Sequence, residues 1–348
     1  MRATPITGHG FEHEQVLKLD DPASGLRGFL AIHSTALGPA LGGIRIRRYA
    51  SDDEALSDAL LLSRAMTYKT ALAELSAGGG KSVIIGPTRE DAGLNRVAVF
   101  EALGEVIEAL GGKYFAGPDV GVTPDDLGAV RRRTQYVADE ASPGLGNIAE
   151  HTAVGVWHAT RACLDFAGLR RVSVAIQGVG GVGRCLAEIL RREGAELAVA
   201  DVDAPRAERA AREFGARLVS PEEILFTDGD VLAPCALGGV LNSATIPNLR
   251  ARIVCGSANN VLATPTDAEA LHHRGILYAP DYLVNAGGVI RGADFYLLGL
   301  RDSEASLARI YDRTKRILAI ARERDCSPAR VADGLAEARW RGAIRTTA

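Results

Sequence analysis

The sequence has no Cys-x-x-Cys and no regular cysteine spacing; its five cysteines, Cys163, Cys185, Cys235, Cys255 and Cys326, are scattered and odd in number. That argues against a disulfide framework and a zinc site and points to a reducing compartment. There is no surplus of either charge: 40 Lys and Arg face 43 Asp and Glu, a net of -3, so no basic excess is available for phosphate backbones and nucleic acid is not an expected partner. No apolar run approaches the roughly 18 residues of a membrane span. The opening stretch, residues 1–15, is too polar for a secretory signal, so a cytoplasmic protein without membrane contact is expected. Internal repeats and low-complexity tracts are missing as well.

What is present suits two buried cores. The chain has 348 residues, of which 47% are apolar, enough for two domains. A small molecule or a second copy of the chain is the expected partner. In the first third, residues 27–35 and 81–86 are rich in branched apolar side chains and read as strands. Ser51 and Glu54 have capping-box spacing ahead of apolar residues at helical period, and Thr123-Pro124-Asp125-Asp126 is a second helix start. Turn residues gather at 142–147, where a domain boundary is placed. From 172 the pattern becomes strand-helix-strand, with runs at 172–177, 196–202 and three shorter ones, which means a parallel sheet covered on both faces. Two helices follow Ser303, and such a tail is expected to cross back and brace the first domain. The expected architecture is α/β: an N-terminal domain, 1–142 with the tail 303–348, and a C-terminal domain built on the parallel sheet, 143–302.

Gly178, Gly180 and Gly183 form a G-x-G-x-x-G turn with Gly181 and Val182 inside it, entered by a strand and left by a helix. The first glycine permits the tight turn, the second lets backbone approach a pyrophosphate, and the third lets helix pack on strand. The helix start then offers free N–H groups to phosphate. Asp201 ends the next strand, 23 residues after Gly178, placed to accept ribose hydroxyls and to repel a 2′-phosphate, which favours NAD over NADP. Arg206 nearby reads as a solvated helix residue.

A second glycine cluster, Gly78-Gly79-Gly80-Lys81-Ser82, is not a P-loop, because Leu75 stands where that motif needs glycine and the lysine opens a strand. What remains is a lysine approached by bare backbone, with Lys69 twelve residues earlier and Asp119 in Gly117-Pro118-Asp119-Val120-Gly121. Together with Leu37–Gly43, Met66–Lys69, Ala233–Gly239, Ala258–Asn260, Ala279–Tyr282 and Asn285–Gly288, these blocks make the chain resemble the leucine, phenylalanine and valine dehydrogenases of the glutamate dehydrogenase superfamily over nearly its whole length.

The resemblance implies a Rossmann domain, a substrate and oligomerisation domain, and a homo-oligomer, dimer or octamer. It implies reversible, NAD-dependent oxidative deamination of an apolar L-amino acid to a 2-oxo acid and ammonia, with the reaction in a cleft between domains. Lys69 would bind the substrate carboxylate. Lys81 would be the general base, its pKa lowered by the second lysine, and Asp119 would shuttle protons. Gly42 and Gly43 would let backbone approach the substrate. Asn259 and Asn260 would supply amides near carboxylate and nicotinamide, unless they are simply a turn pair. Thr152, Ala236 and Asn285 would lie against the cofactor. Leu41, Gly117, Val289 and Gly292 would line the side-chain pocket. The glycines at 117 and 292 enlarge it and favour an aromatic substrate slightly over leucine or valine. Glu150 and His151 depart from the family pattern and either bond locally, face solvent or alter substrate choice. His272-His273 reads as surface, and no metal is expected. Two alternatives remain. A catalytically silent NAD-binding regulatory protein predicts loss of Lys69, Lys81 or Asp119, and all three are present. A hydroxy-acid dehydrogenase would not need ammonia.

Overall fold

The computed structural model describes residues 3–7, 10–86, 95–138, 142–170 and 172–347, with side chains through 344; the first two and the last residue of the expected domains lie outside them. The chain forms two compact units. The first takes the chain through Gly146, with 296–298 and the residues from Ala336 on; the second takes 147–295 and 299–335. The boundary thus falls at the end of the turn-rich stretch, after 146 in place of 142. The C-terminal tail also divides differently from expectation, because residues 303–335 belong to the second unit and only the last turns to the first.

The first unit holds β1 (Ala3–Pro5), β2 (Gln15–Asp21), β3 (Leu26–Ser34), β4 (Ala40–Arg47), α1 (Asp52–Leu72), β5 (Gly78–Ile85), α2 (Arg96–Ala109), β6 (Tyr114–Pro118) and α3 (Pro124–Arg131). Its six strands run in the order β1-β2-β3-β5-β4-β6. β5 is antiparallel to β3, and β4 is parallel to both β5 and β6. Alternating apolar residues of β2, β3 and β4 meet Phe100, Leu103 and Ile107 of α2 in one core. Both cap signals form. Ser51 Oγ accepts from Glu54 N at 3.1 Å, although Glu54 reaches back to Ala50 N (2.7 Å) and not to the cap residue. Thr123 and Asp126 close a full capping box.

The glycine cluster lies within β5 and does not precede it, so Lys81 is the fourth residue of the strand. A Cβ on Gly79 would fall 2.1 Å from Thr67 N, so α1 lies directly on the strand. Buried His33 of β3 reinforces this contact through Thr67 Oγ1 at 2.9 Å, and burial, with His13 beside it, pushes the imidazole down to about 3.

The second unit holds α4 (Ile148–Ala167), β7 (Ser173–Gln177), α5 (Gly181–Arg192), β8 (Glu196–Ala200), α6 (Ala204–Phe214), β9 (Arg217–Leu218), β10 (Val231–Pro234), β11 (Ile253–Val254), α7 (Thr266–His273), β12 (Leu277–Tyr278), α8 (Asp281–Val284), most of α9 (Gly287–Tyr296), α10 (Glu304–Arg324) and the start of α11 (Pro328–Thr347). Its strands are all parallel, in the order β12-β11-β10-β7-β8-β9. This is the doubly wound dinucleotide-binding order, whose reversal falls between β7 and β10. α10 packs along α4, which is why it belongs here. Among the described residues no helix is long and apolar enough to cross a membrane.

Candidate active site

Three adjacent strands of the first unit, β5-β4-β6, bring the charged groups together. Gly43 of β4 is in register with Gly117 of β6, and Asp119 follows the end of β6. The turn after Asp119 is pinned to β4: Ile46 N donates to Val120 O at 3.0 Å, and Gly121, at φ +81°, passes so close that a Cβ would meet Ile46 O at 2.1 Å. The Lys81 ammonium and Asp119 Oδ2 form an ion pair, with only 7% of the lysine side chain exposed. A Cβ on Gly43 would fall 2.8 Å from Asp119 Cβ and 3.0 Å from Lys81 Nζ, so bare backbone at Gly43 is what makes room for the pair. A Cβ on Gly42 would strike Gly80 O at 1.8 Å; that glycine serves strand contact.

Two charged residues were not picked out from the sequence. Arg45 directs Nε to Asp119 Oδ2 (3.2 Å) and Nη1 to Asp58 of α1 (3.2 and 3.3 Å), while Tyr49 Oη donates to Asp58 Oδ2 at 2.6 Å. The available signal was strand alternation, which puts Arg45 on the face of Gly43 two residues before it. Burial pushes the Lys81 ammonium below the ordinary lysine range; Asp119 opposes this, Arg45 adds to it, and Asp58 opposes it. The like charge acting on Lys81 is therefore foremost that of Arg45, where Lys69 had been expected. Burial tends to raise the Asp119 carboxyl, but Lys81 and Arg45 outweigh it and hold the group below the usual carboxylate range. Lys69 sits half-buried in the last turn of α1. Leu41 is half-buried on β4, and Gly117 on β6 would meet a Cβ only at 3.8 Å.

In the second unit the glycine turn follows β7. Gly178 takes φ +89°, and a Cβ there would lie 2.7 Å from Ala236 Cβ, so the loops after β7 and β10 touch where the strand order reverses. A Cβ on Gly183 would meet Gly178 O at 2.0 Å, whereas one on Gly180 would meet nothing within 4 Å. Gly180 caps α5 without a side-chain acceptor, so the first N–H groups of α5, at Gly181 and Val182, have no side chain bonded to them at the cap. A dinucleotide fits this cradle: open space over Gly180, an unoccluded helix start, and an acid at the next strand's end.

Asp201 does more than expected. Its Oδ2 accepts from Val179 N and its Oδ1 from Asp203 N, both at 2.9 Å. Burial works against its ionisation, but these two N–H groups and Arg206 hold its pKa down. Arg206 pairs with Asp201 at 3.3 Å and Asp203 at 3.1 Å and is not a free solvated arginine.

Asn285 Nδ2 donates to Asn259 Oδ1 (2.8 Å) and to Ser257 O (3.1 Å), and Asn260 holds a left-handed turn at φ +51°. Both readings of the asparagine pair therefore have a physical basis: Asn260 shapes the turn, and Asn259 belongs to an amide network. Thr152 Oγ1 bonds back to Ile148 O at 2.9 Å and lies where a Cβ on Gly288 would meet it at 2.9 Å, next to Val289 on α9. Gly292, one turn further on, faces open space. His151 Nδ1 donates to Asn147 O at 2.7 Å, a local bond, and Glu150 is exposed. His272 pairs with Asp325 at 3.2 Å.

Comparison with known proteins gives concordant results. The pattern of the Glu/Leu/Phe/Val dehydrogenase dimerisation domain matches residues 13–143, and that of the glutamate/leucine/phenylalanine/valine dehydrogenases matches 203–293. The chain is 44% identical over 338 residues to a leucine dehydrogenase of Geobacillus stearothermophilus, covering 94% of this chain and 91% of that protein. It is 43% identical over 341 residues to a valine dehydrogenase of Streptomyces albus, covering 94% and 92%. The solved structure of L-tryptophan dehydrogenase from Nostoc punctiforme superposes with a TM-score of 0.82 at 40% identity, covering 96% of this chain and 97% of that one.

Proposed function

Since this chain belongs to the glutamate/leucine/phenylalanine/valine dehydrogenase family, we propose that it oxidatively deaminates an apolar L-amino acid with NAD. Amino acid, NAD⁺ and water give the 2-oxo acid, ammonia, NADH and a proton, reversibly. The observation that carries this reading is the buried Lys81–Asp119 pair, with the bare backbone of Gly43 against both groups.

Lys81 serves as general base. With Nζ neutral it takes a proton from the water that attacks the substrate's imine carbon, and burial is what lowers the cost of that neutral state. Asp119 passes protons to and from the substrate nitrogen. Lys69 binds the substrate carboxylate. We assign these roles, with Leu41 toward the substrate side chain, to the first unit. The cofactor belongs to the second unit, held by Gly178, Gly180, Gly181, Val182, Gly183 and Asp201, with Thr152, Ala236, Asn259 and Asn285 around it and Asn260 toward the substrate. When bound, NAD supplies the hydride acceptor. Asp201 makes NAD the preferred form, because a carboxylate at the ribose repels a 2′-phosphate.

Gly117 and Leu41 in the first unit and Gly292 and Val289 in the second are assigned to substrate size, and the glycines favour bulky substrates: a Cβ would meet nothing nearer than 3.8 Å at Gly117 and nothing within 4 Å at Gly292. Similarity to a tryptophan dehydrogenase supports the same reading. The match of residues 13–143 to a dimerisation domain supports a homo-oligomer, dimer or octamer. A catalytically silent role gains no support, since Lys69, Lys81 and Asp119 are all present. The test is NAD reduction with L-leucine, L-valine, L-phenylalanine and L-tryptophan. The best aromatic substrate should match or exceed leucine in kcat/KM; strong preference for valine would overturn the pocket argument, and no turnover with any would overturn the function.

A further inference from the structure

The acid-base pair of the proposed reaction carries a third charged partner. Arg45 lies on β4, between the strands that present Lys81 and Asp119. Its Nε meets Asp119 Oδ2, the same oxygen that pairs with Lys81. Its Nη1 is held by Asp58, and the side chains of Arg45, Asp58 and Asp119 are each no more than 20% exposed. Asp58 is fixed in turn by the Tyr49 hydroxyl and by Arg47 Nε at 3.7 Å; Arg47 also reaches Glu54 at 3.4 Å. The N–H of Val120 donates to the Asp119 carboxylate as well. Positive and negative groups thus alternate from Lys81 through Asp119 and Arg45 to Asp58.

A lysine that acts as base must spend part of each turnover without its proton. At that point Asp119 loses the charge of its first partner, and a buried carboxylate left alone takes up a proton. An arginine stays protonated throughout the accessible pH range. Arg45 is therefore the cation that remains when Lys81 is neutral.

We propose that Arg45 is a positioning residue of this reaction, which fixes Asp119 as an oriented carboxylate, with Asp58 as its own anchor, while Lys81 gives up its proton. The proposal rests on the reading of Lys81 and Asp119 as the acid-base pair, and Arg45 acts through Asp119.

The test is the pH profile of kcat/KM for oxidative deamination by the full-length enzyme. Arg45→Gln removes a like charge from Lys81 and a counter-charge from Asp119, so both protons are held more tightly. The ascending limb should move up by about one pH unit. kcat should fall by at least about tenfold, with the amino-acid KM changed less than kcat. Arg45→Lys keeps the charge but not the planar fork, so it should return the limb toward its wild-type position and recover only part of kcat. Asp58→Asn removes the anchor of Arg45 Nη1, so kcat should fall here too, by less than in Arg45→Gln and with the amino-acid KM changed less than kcat; this variant keeps the proposal testable if Arg45→Gln does not fold. Wild-type kcat and an unmoved limb in Arg45→Gln, or wild-type kcat in Asp58→Asn, would overturn the role of Arg45. Lys81→Ala assayed in parallel separates the two readings: full activity there would remove the acid-base pair itself.

Discussion

Lys81 occupies a place where an ammonium ion is hard to keep, because almost all of its water is gone and one carboxylate must serve in its stead. Two predictions follow from that placement. Lys81→Ala should lower kcat by about 10²–10⁴-fold while the protein stays folded, and Asp119→Asn should behave alike, since an amide keeps the shape but cannot carry the proton. Steady-state rates on variants with native thermal melts decide this. The second prediction concerns pH. With Lys81 as the proposed base, deamination requires it neutral, so the rate should rise as that proton leaves, and a lowered pKa should shift the rise to lower pH than the roughly 10.4 of a free lysine. A kcat/KM profile that climbs only around a free lysine's pKa would contradict the burial argument. At the proposed cofactor site, Asp201→Ser removes the acceptor for Val179 N and Asp203 N, so NAD should bind more weakly and the proposed preference over NADP should narrow. Measured Kd values for both cofactors check it, and an unchanged ratio would move the assignment to Asp203. Lys81, Asp119 and Asp201 were legible because each stands in a block of glycines or at a strand end. Arg45 was not, since a lone arginine is usually a solvated charge, and only the fold shows that two carboxylates enclose it.

Glycines decide several contacts between elements, with opposite signs. On α2, a Cβ at Gly104 would fall 2.7 Å from Val130 O of α3; on α3, one at Gly128 would meet nothing within 4 Å. Gly104→Ala should therefore cost about 1–3 kcal/mol by forcing the helices apart. Gly128→Ala should gain roughly 0.5–1 kcal/mol from helix propensity alone. Denaturant midpoints of the two variants test the difference. The same logic applies to the proposed size-selecting positions: Gly117→Ala and Gly292→Val add methyl groups that meet no neighbour nearer than 3.8 Å at the Cβ, so kcat/KM should shift toward smaller amino acids, by about 1–3 kcal/mol per methylene at most. The strand-helix-strand run from 172 was readable from its apolar periods, and β7 and β8 lie within two residues of the expected spans. β5 was readable only from Lys81 onward, because glycine is a poor strand former and the three at 78–80 belong to the strand through pairing with β3 and β4, where a Cβ would strike Ser34, Thr67 or Tyr114.

For the molecule as a whole, the parallel order of the second sheet was foreseeable from alternation of strand and helix, and the mixed sheet of the first unit was not, because spacing alone does not say that β4 inserts between β5 and β6. The helix 304–324 was misplaced for a similar reason: its partner, α4, is chosen by packing and leaves no mark in chain order. What both units share is an enzyme reading in which ammonia is a reactant. The most direct test is therefore NADH oxidation by the purified full chain across apolar 2-oxo acids, including those of leucine, valine, phenylalanine and tryptophan, with and without ammonium. NADH consumption that requires both the 2-oxo acid and ammonium, with the L-amino acid as product, is the predicted result. Equal consumption without ammonium, giving a hydroxy acid, would contradict the account.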